Sequence, residues 1–184
     1  MYARKSSRRP RKPLNEDRLH ELALFYLGKF ATTRAKLASY LHRKVRERGW
    51  EGDRSPNIDH MVERMASSGL VDDALYALSK SRSLSERGYG AARVRQALRA
   101  AGVEGEESEA AHGLAADEAA ASALRFARRK RIGPFADAPP DRNAREKALA
   151  AMIRAGHSFE MSKAVIDAEP GCQIDPNELR EKFR

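Results

Sequence analysis

The sequence predicts an all-α protein, an elongated and gently curved array of three tandem three-helix repeats. Apolar residues recur at the three- and four-residue spacing of amphipathic helices, and the period-two alternation of strands is essentially absent. Gly49, Gly102 and Gly156 each end an arginine-bearing helix, and roughly fifty residues separate one from the next. Apolar residues stand four and eight positions before each glycine: Val45 and Leu41, Leu98 and Val94, Met152 and Ala148. A motif repeated at this period is typical of helical repeat proteins, whose units stack to bury their apolar faces.

The repeats occupy the middle of the chain, between two polar ends. We place them at 15–69, 70–116 and 117–169. Residues 1–14 form a basic arm that we expect to be disordered, because a segment so rich in arginine and lysine cannot bury apolar surface. This arm either contacts phosphates or stays in solvent. Residues 170–184 form a polar C-terminal tail.

Capping residues set the helix boundaries expected in the first repeat. Asn15 begins the first helix, and the two carboxylates that follow it suit the positive end of the helix dipole. Thr33 caps the second helix, and Gly49 ends it because glycine tolerates the left-handed conformation found after a helix. Ser55 and Pro56 are expected to be the N-cap and first residue of the third helix.

The same signals divide the second and third repeats. In the second repeat, helices are expected over 73–86, 91–101 and 106–116, with Gly88-Tyr89-Gly90 as the hinge between the first two. In the third, we expect Asp117 to cap a helix, Gly133-Pro134 to end it, a helix over 141–155, and Ser158 to cap the last helix. The total expected is nine helices.

The charge balance points to a polyanionic partner. The chain carries 35 Lys+Arg against 26 Asp+Glu, a net charge of +9 and a pI near 9.9. Such a balance favours nucleic acid or an acidic protein surface. Cys172 is the one cysteine, so no internal disulfide forms, as suits a reducing cytosol. Neither a transmembrane run nor a signal peptide is apparent, so we expect a cytoplasmic protein, without a membrane partner and monomeric.

No arrangement of residues suggests catalysis. Gly88-Tyr89-Gly90 is not a dinucleotide-binding motif, because Arg93 stands where the third glycine would be and no strand precedes it. The five histidines are scattered singly, and we interpret each as a surface or capping residue. We therefore expect no enzyme activity, no cofactor and no metal site.

One stretch carries a family resemblance. Its matching residues are Gly69-Leu70-Val71-Asp72-Asp73, Arg82, the run from Gly88 to Leu98, and Gly102-Val103. The stretch between residues 69 and 103 closely resembles the RecX family, whose members are bacterial regulators of the RecA recombinase. The resemblance is densest over 69–103 and continues more weakly through 15–68 and 117–168.

The resemblance implies a fold of tandem three-helix repeats without a catalytic site. It implies a cytoplasmic protein that binds RecA nucleoprotein filaments on single-stranded DNA and inhibits recombinase, ATPase and co-protease activity during DNA repair and recombination. Our candidates for filament or DNA contact lie on or beside the best-matched segment, with two more in the first repeat: Arg82, Arg87, Arg93, Arg95, Arg99, Arg43 and Arg46. Arg95 and Arg99 share a helix face because they are four residues apart.

Two other functions remain open from the residues alone. The first is a helical module that binds single- or double-stranded DNA directly and acts without RecA, whether or not it prefers a sequence. The second is a helical scaffold for an acidic protein.

Overall fold

The computed structural model describes residues 12–183, which contain ten α-helices and no strand beyond an isolated bridge between Leu14 and Trp50. The helices are α1 (Glu16–Leu27), α2 (Arg34–Arg48), α3 (Ile58–Ser67), α4 (Asp73–Glu86), α5 (Ala91–Arg99), α6 (Glu106–Asp117), α7 (Ala119–Lys130), α8 (Arg142–Arg154), α9 (Phe159–Ile166) and α10 (Pro176–Lys182). A short 3-10 turn covers Gly133–Phe135. The chain divides into two compact units between Asp72 and Asp73. The predicted all-α class is confirmed.

The first unit is a triplet, α1 to α3, around its own apolar core. That core consists of Leu14, Leu19, Ala23, Leu37, Leu41, Ile58, Val62, Met65 and Val71. Both expected caps are present: the Asn15 side chain accepts from the Arg18 N–H at 3.1 Å, and the Thr33 hydroxyl accepts from the Lys36 N–H at 3.2 Å. These bonds satisfy amide groups that the first turn of a helix leaves without partners.

The basic arm ends earlier than predicted. Residues 1–11 lie outside the described part of the chain, but Leu14 is fully buried, at 0% exposure. Its N–H donates to the Gly49 carbonyl at 2.9 Å, and its carbonyl accepts from the Glu51 N–H at 2.7 Å. Leu14 therefore belongs to the fold, because the segment after α2 supplies backbone partners that its own sequence does not reveal.

The start of the third helix was predicted wrongly. Helix α3 begins at Ile58, and the Asn57 side chain caps it by accepting from the His60 N–H at 3.1 Å. Ser55 and Pro56 lie in the preceding loop. The Trp50 indole N–H donates to the Arg54 carbonyl at 2.7 Å, which holds this loop in a non-helical path.

The second unit contains two further triplets, each with its own core. Helices α4 to α6 enclose Ala77, Leu84, Val94, Leu98, Ala101, Val103, Ala111 and Ala115. Helices α7 to α9, joined by α10, enclose Ala120, Ala123, Leu124, Phe126, Ala127, Met152, Ala155, Met161, Val165, Ile166 and Leu179. In the first of these triplets, the buried Ser81 hydroxyl donates to the Ala111 carbonyl at 2.8 Å and ties α4 to α6. The tandem three-helix organisation predicted from the period is confirmed.

The periodic glycines end their helices as expected, with two different backbone conformations. Gly102 and Gly156 have φ of 72° and 97°, and the residue after each donates back into the helix. Val103 N–H bonds the Leu98 carbonyl at 3.0 Å, and His157 N–H bonds the Met152 carbonyl at 3.2 Å. Gly49 also has positive φ, 79°, but its ψ of 169° sends the chain into the bridge with Leu14 instead.

Asp117 is not the cap that the sequence suggested. It is the last residue of α6, and only Glu118 separates it from α7. Glu118 makes no capping bond with its side chain, which accepts instead from Arg125 at 2.9 Å. The backbone satisfies the junction: Glu118 N–H donates to the Leu114 carbonyl, and Ser122 N–H to the Glu118 carbonyl. The two helices are thus nearly continuous, which leaves no place for a cap.

The C-terminal segment holds a tenth helix where only a polar tail was expected. Asp175 caps α10 by accepting from the Asn177 N–H at 2.8 Å, and Leu179 is buried in the core of the third triplet. The segment is polar in composition, so one buried leucine on a short helix gives too weak a pattern to detect. Asp141 and Ser158 cap α8 and α9, the latter as predicted.

Candidate binding site

All seven candidate arginines are exposed, and they fall in both units. Arg43 and Arg46 lie on α2 in the first unit. The other five lie on α4, on α5 or in the turn between them: Arg82, Arg87, Arg93, Arg95 and Arg99. The five are therefore brought together on one helical hairpin of the second triplet.

The partners of these arginines differ. Arg99 lies 3.8 Å from the Glu104 carboxylate, and Arg43 lies 4.0 Å from that of Glu47. Arg93 donates to the Gln96 side chain at 2.7 Å. Within residues 12–183, no ion pair is formed by Arg46, Arg82 or Arg95. Exposed ion pairs hold a side chain weakly, so all seven guanidinium groups can turn to an anionic partner.

The Gly88-Tyr89-Gly90 segment connects α4 and α5, as predicted, and hydrogen bonds fix it in place. The Gly90 N–H donates to the Ala155 carbonyl at 3.0 Å, and the Ala92 N–H donates to the Gly156 carbonyl at 3.1 Å. The Gly88 carbonyl lies 3.2 Å from Nε2 of His157. Three bonds therefore join this turn and the start of α5 to the segment between α8 and α9.

Glycine is required on both sides of this junction. A Cβ on Gly90 would lie 2.2 Å from the Gly156 carbonyl oxygen, and one on Gly156 would lie 2.4 Å from the Arg93 nitrogen. A Cβ on Gly88 would lie 2.8 Å from the Phe126 nitrogen. Because these neighbours are backbone atoms, they cannot move aside as a flexible side chain would. The two triplets of the second unit thus meet backbone to backbone.

His157 is buried in this junction, contrary to the expectation of a surface or capping role. Its exposure is 6%, and its ring packs edge-on to Phe126 at 5.6 Å between centroids. Burial lowers the pKa of His157 below its ordinary value of 6.5, although the bond to Gly88 opposes the change. The neutral ring, protonated on Nε2, donates to the Gly88 carbonyl. Within residues 12–183, no three His, Cys, Asp or Glu side chains group as a metal site.

Arginines of α7 join the candidate surface, although sequence reasoning did not select them. Arg129 donates to the Arg87 carbonyl and lies over the rings of Tyr89 and Phe126, at 5.9 and 5.3 Å from their centroids. Arg125 donates to the Ser85 carbonyl at 3.2 Å. These carbonyls end α4, where the helix dipole favours cations. The signal was present in the sequence as the basic run that ends α7.

Arg95 also lines a cleft of about 590 Å³ in the second unit. Residues of α5, α6, the start of α7 and the start of α9 line it. Arg180 of α10 and Phe183, which follows that helix, also line it. Alanine and glycine make up about half of the lining residues, so much of the cleft surface is apolar.

Solved structures share this fold. The crystal structure of RecX from Lactobacillus salivarius superposes with a TM-score of 0.58 at 20% identity, covering 82% of this chain and 93% of that one. A crystal structure of regulatory protein RecX gives the same TM-score at 21% identity, covering 82% of this chain and 71% of that one. At these identities, the likeness describes the fold alone.

Sequence comparison adds the family. The model of the second three-helix domain of RecX matches residues 72–111, which span α4, α5 and the first half of α6. Regulatory protein RecX of Myxococcus xanthus is 33% identical over 180 residues, covering 91% of this chain and 95% of that protein. A third of the residues are thus identical along nearly the whole of both proteins, and the chain belongs to the RecX family of regulatory proteins.

Proposed function

We propose that this protein binds RecA filaments assembled on single-stranded DNA and inhibits their recombinase, ATPase and co-protease activities. The observation that carries the proposal is the 33% identity to a protein named as a regulatory protein, along nearly the whole of both chains. Sequence similarity of that extent includes all three repeats, not a single domain. The protein would act in the bacterial cytoplasm, as a monomer, in DNA repair and recombination.

The contact surface that we propose is the basic hairpin formed by α4 and α5. Its five candidate arginines are exposed, and Arg82 and Arg95 have no carboxylate partner within residues 12–183. Arg129 of α7 adds a sixth guanidinium group, and it lies over the Tyr89 ring together with Arg87. A surface of this sign attracts the phosphates of DNA or a carboxylate-rich protein face, and salt weakens that attraction. Arg43 and Arg46 would contribute a separate set of contacts from the first unit.

The protein would regulate by binding, without catalysing a reaction and without a cofactor. Its relatives are named as regulatory proteins. The buried His157 bonds the Gly88 carbonyl, so we assign it a structural role. Between residues 12 and 183, no helix is both long enough and apolar enough to cross a membrane.

Direct DNA binding without RecA is the alternative, and the net charge of +9 favours it. It predicts that the protein binds DNA equally well whether or not recombinase is present. Binding to phosphates alone would weaken steeply with salt, with a slope of about −0.9 per phosphate neutralised on duplex DNA.

The deciding experiment measures ATP hydrolysis by the RecA of the same bacterium on single-stranded DNA. Purified protein is added at and below the RecA concentration, and we expect the rate to fall. DNA binding by the protein alone is measured in the same buffer. An unchanged rate under conditions in which filaments demonstrably form would contradict the proposal. Unchanged hydrolysis with tight DNA binding would favour the alternative.

A further inference from the structure

We propose that the cleft of the second unit binds an acidic peptide segment of a partner protein, with carboxylates on Arg95 and Arg180 and an apolar side chain between them. This goes beyond the proposed function, which rests on the exposed hairpin and on family membership. Its test measures peptide binding to this protein alone, without recombinase, so either idea can fail without the other.

The dimensions of the cleft suit a short peptide. Its volume of about 590 Å³ lies within the range of a few hundred to about a thousand Å³ that is usual for ligand sites. Five helices contribute to its walls: α5 through Ala91, α6 through Ala116, α7 through Ala119, α9 through Met161 and α10 through Arg180. All of them belong to one compact unit, so the cleft is formed without any contribution from the first unit.

The charges of the cleft select carboxylates. Arg95 on α5 and Arg180 on α10 reach it from two different helices. Neither guanidinium forms an ion pair within residues 12–183, although Asp117 lines the same cleft. Guanidinium groups bind carboxylates through two parallel hydrogen bonds, which fixes orientation as well as charge. Two such groups on separate walls would hold two acidic residues of one segment.

The lining of the cleft favours an apolar side chain between those carboxylates. Small residues are frequent in it, among them Ala92, Gly113 and Ala119, and Met161 and Phe183 also line it. Such a surface offers methyl and ring contacts but few hydrogen-bond partners. Burying a leucine-sized side chain there would stabilise the complex, whereas the polar sugar of a nucleotide would lose its water and find few hydrogen-bond partners.

A peptide explains these features better than a nucleic acid does. Phosphate chains are bound by rows of cations, because each nucleotide brings another negative charge. The cleft has two arginines, on two different helices, and no row of cations. Single-stranded nucleic acid is also held by aromatic platforms, and here Phe183 is half-buried in the core of the third triplet.

The test is an NMR titration of the isotope-labelled full chain with a synthetic peptide in which glutamates flank a leucine. A peptide with glutamine in place of glutamate is the matched probe. We expect the acidic peptide to shift the amides of Ala92, Gly113 and Met161, and the glutamine peptide to leave them unmoved. Binding should weaken at least about tenfold in Arg95→Gln/Arg180→Gln, because two charge-assisted bonds are lost.

A second pair of variants separates the cleft from net charge. Ala116→Trp fills the cleft without changing charge and should weaken binding, whereas Ala110→Trp, exposed on the same helix and outside the cleft, should not. The proposal is overturned if wild-type protein fails to bind the acidic peptide at millimolar concentration, or if neither cleft variant weakens binding. It is also overturned if a short oligothymidylate displaces the peptide and loses affinity in the arginine variant, since the cleft would then be a phosphate site.

Discussion

The backbone of Gly90 lies against that of Gly156, so closely that a Cβ on Gly90 would fall 2.2 Å from the Gly156 carbonyl oxygen. Gly90 belongs to the segment with the family resemblance, and Gly156 is the third of the periodic glycines. The two features that sequence reasoning treated separately therefore meet at one contact. This contact joins the second and third triplets and holds the arginine-bearing α5 against the start of α9.

Replacing Gly90 with alanine is expected to destabilise the second unit by at least about 2 kcal/mol, because the new methyl group displaces backbone. Gly156→Ala should do the same, and its φ of 97° adds backbone strain. Urea unfolding measures both. Gly113→Ala is the control: its Cβ meets nothing within 4 Å and lies within α6, so it should stabilise by about 0.5–1 kcal/mol. Equal effects at positions 90 and 113 would refute the close contact.

Acidification is expected to loosen the same junction through His157. Its pKa in the folded protein is lowered by burial, so the unfolded chain binds a proton more readily. The free energy of unfolding should be constant above the ordinary value of 6.5 and should fall as pH drops from there toward the lowered folded pKa. Urea unfolding at pH 7.5 and at pH 5 measures this. His157→Gln should reduce the difference, while His60→Gln, exposed on α3, should keep it. Identical pH dependence in wild type and His157→Gln would count against this role.

Truncating Leu179 is expected to release α10. The side chain is buried in the core of the third triplet, and Leu179→Ala should cost about 2 kcal/mol or more if the helix stays docked. If α10 undocks, its amides should instead exchange hydrogen rapidly while α7 to α9 stay protected. Hydrogen exchange with urea unfolding distinguishes the two. Glu178→Ala, on the exposed side of α10, should change neither, and full protection with unchanged stability in Leu179→Ala would be the contrary result.

Reversing the charge of Arg95 and Arg99 is expected to weaken inhibition of RecA ATP hydrolysis by at least about tenfold in the concentration required, because two charge-assisted contacts become repulsive. Both residues are exposed, so circular dichroism should be unchanged. Arg142→Glu/Lys147→Glu makes the same change in net charge on exposed positions of α8. Full inhibition by the first variant, or equal loss in both, would exclude a specific contact through this face of α5.

The sequence by itself determined the features whose energetics are local. The caps at Asn15, Thr33 and Ser158 were predictable because a short polar side chain bonds an amide three residues on. The bounds of α4 were predicted as observed, and the periodic glycines end helices because only they adopt positive φ without strain. Family membership also followed from the residues of one segment.

Tertiary structure decided what depends on distant partners. Helix α3 is capped by Asn57 and not by Ser55. Helix α10 is stabilised because Leu179 packs into a core that includes residues of α7. His157 is buried because Gly88, far away in the sequence, supplies its hydrogen-bond acceptor. The candidate site was predictable to the same extent. Exposure of the arginines followed from the sequence, but the placement of Arg129 beside Tyr89, and of Arg180 and Arg95 on one cleft, arises only where helices pack. Periodicity along the chain records which face of a helix is buried, whereas the neighbour against which it is buried is set by packing.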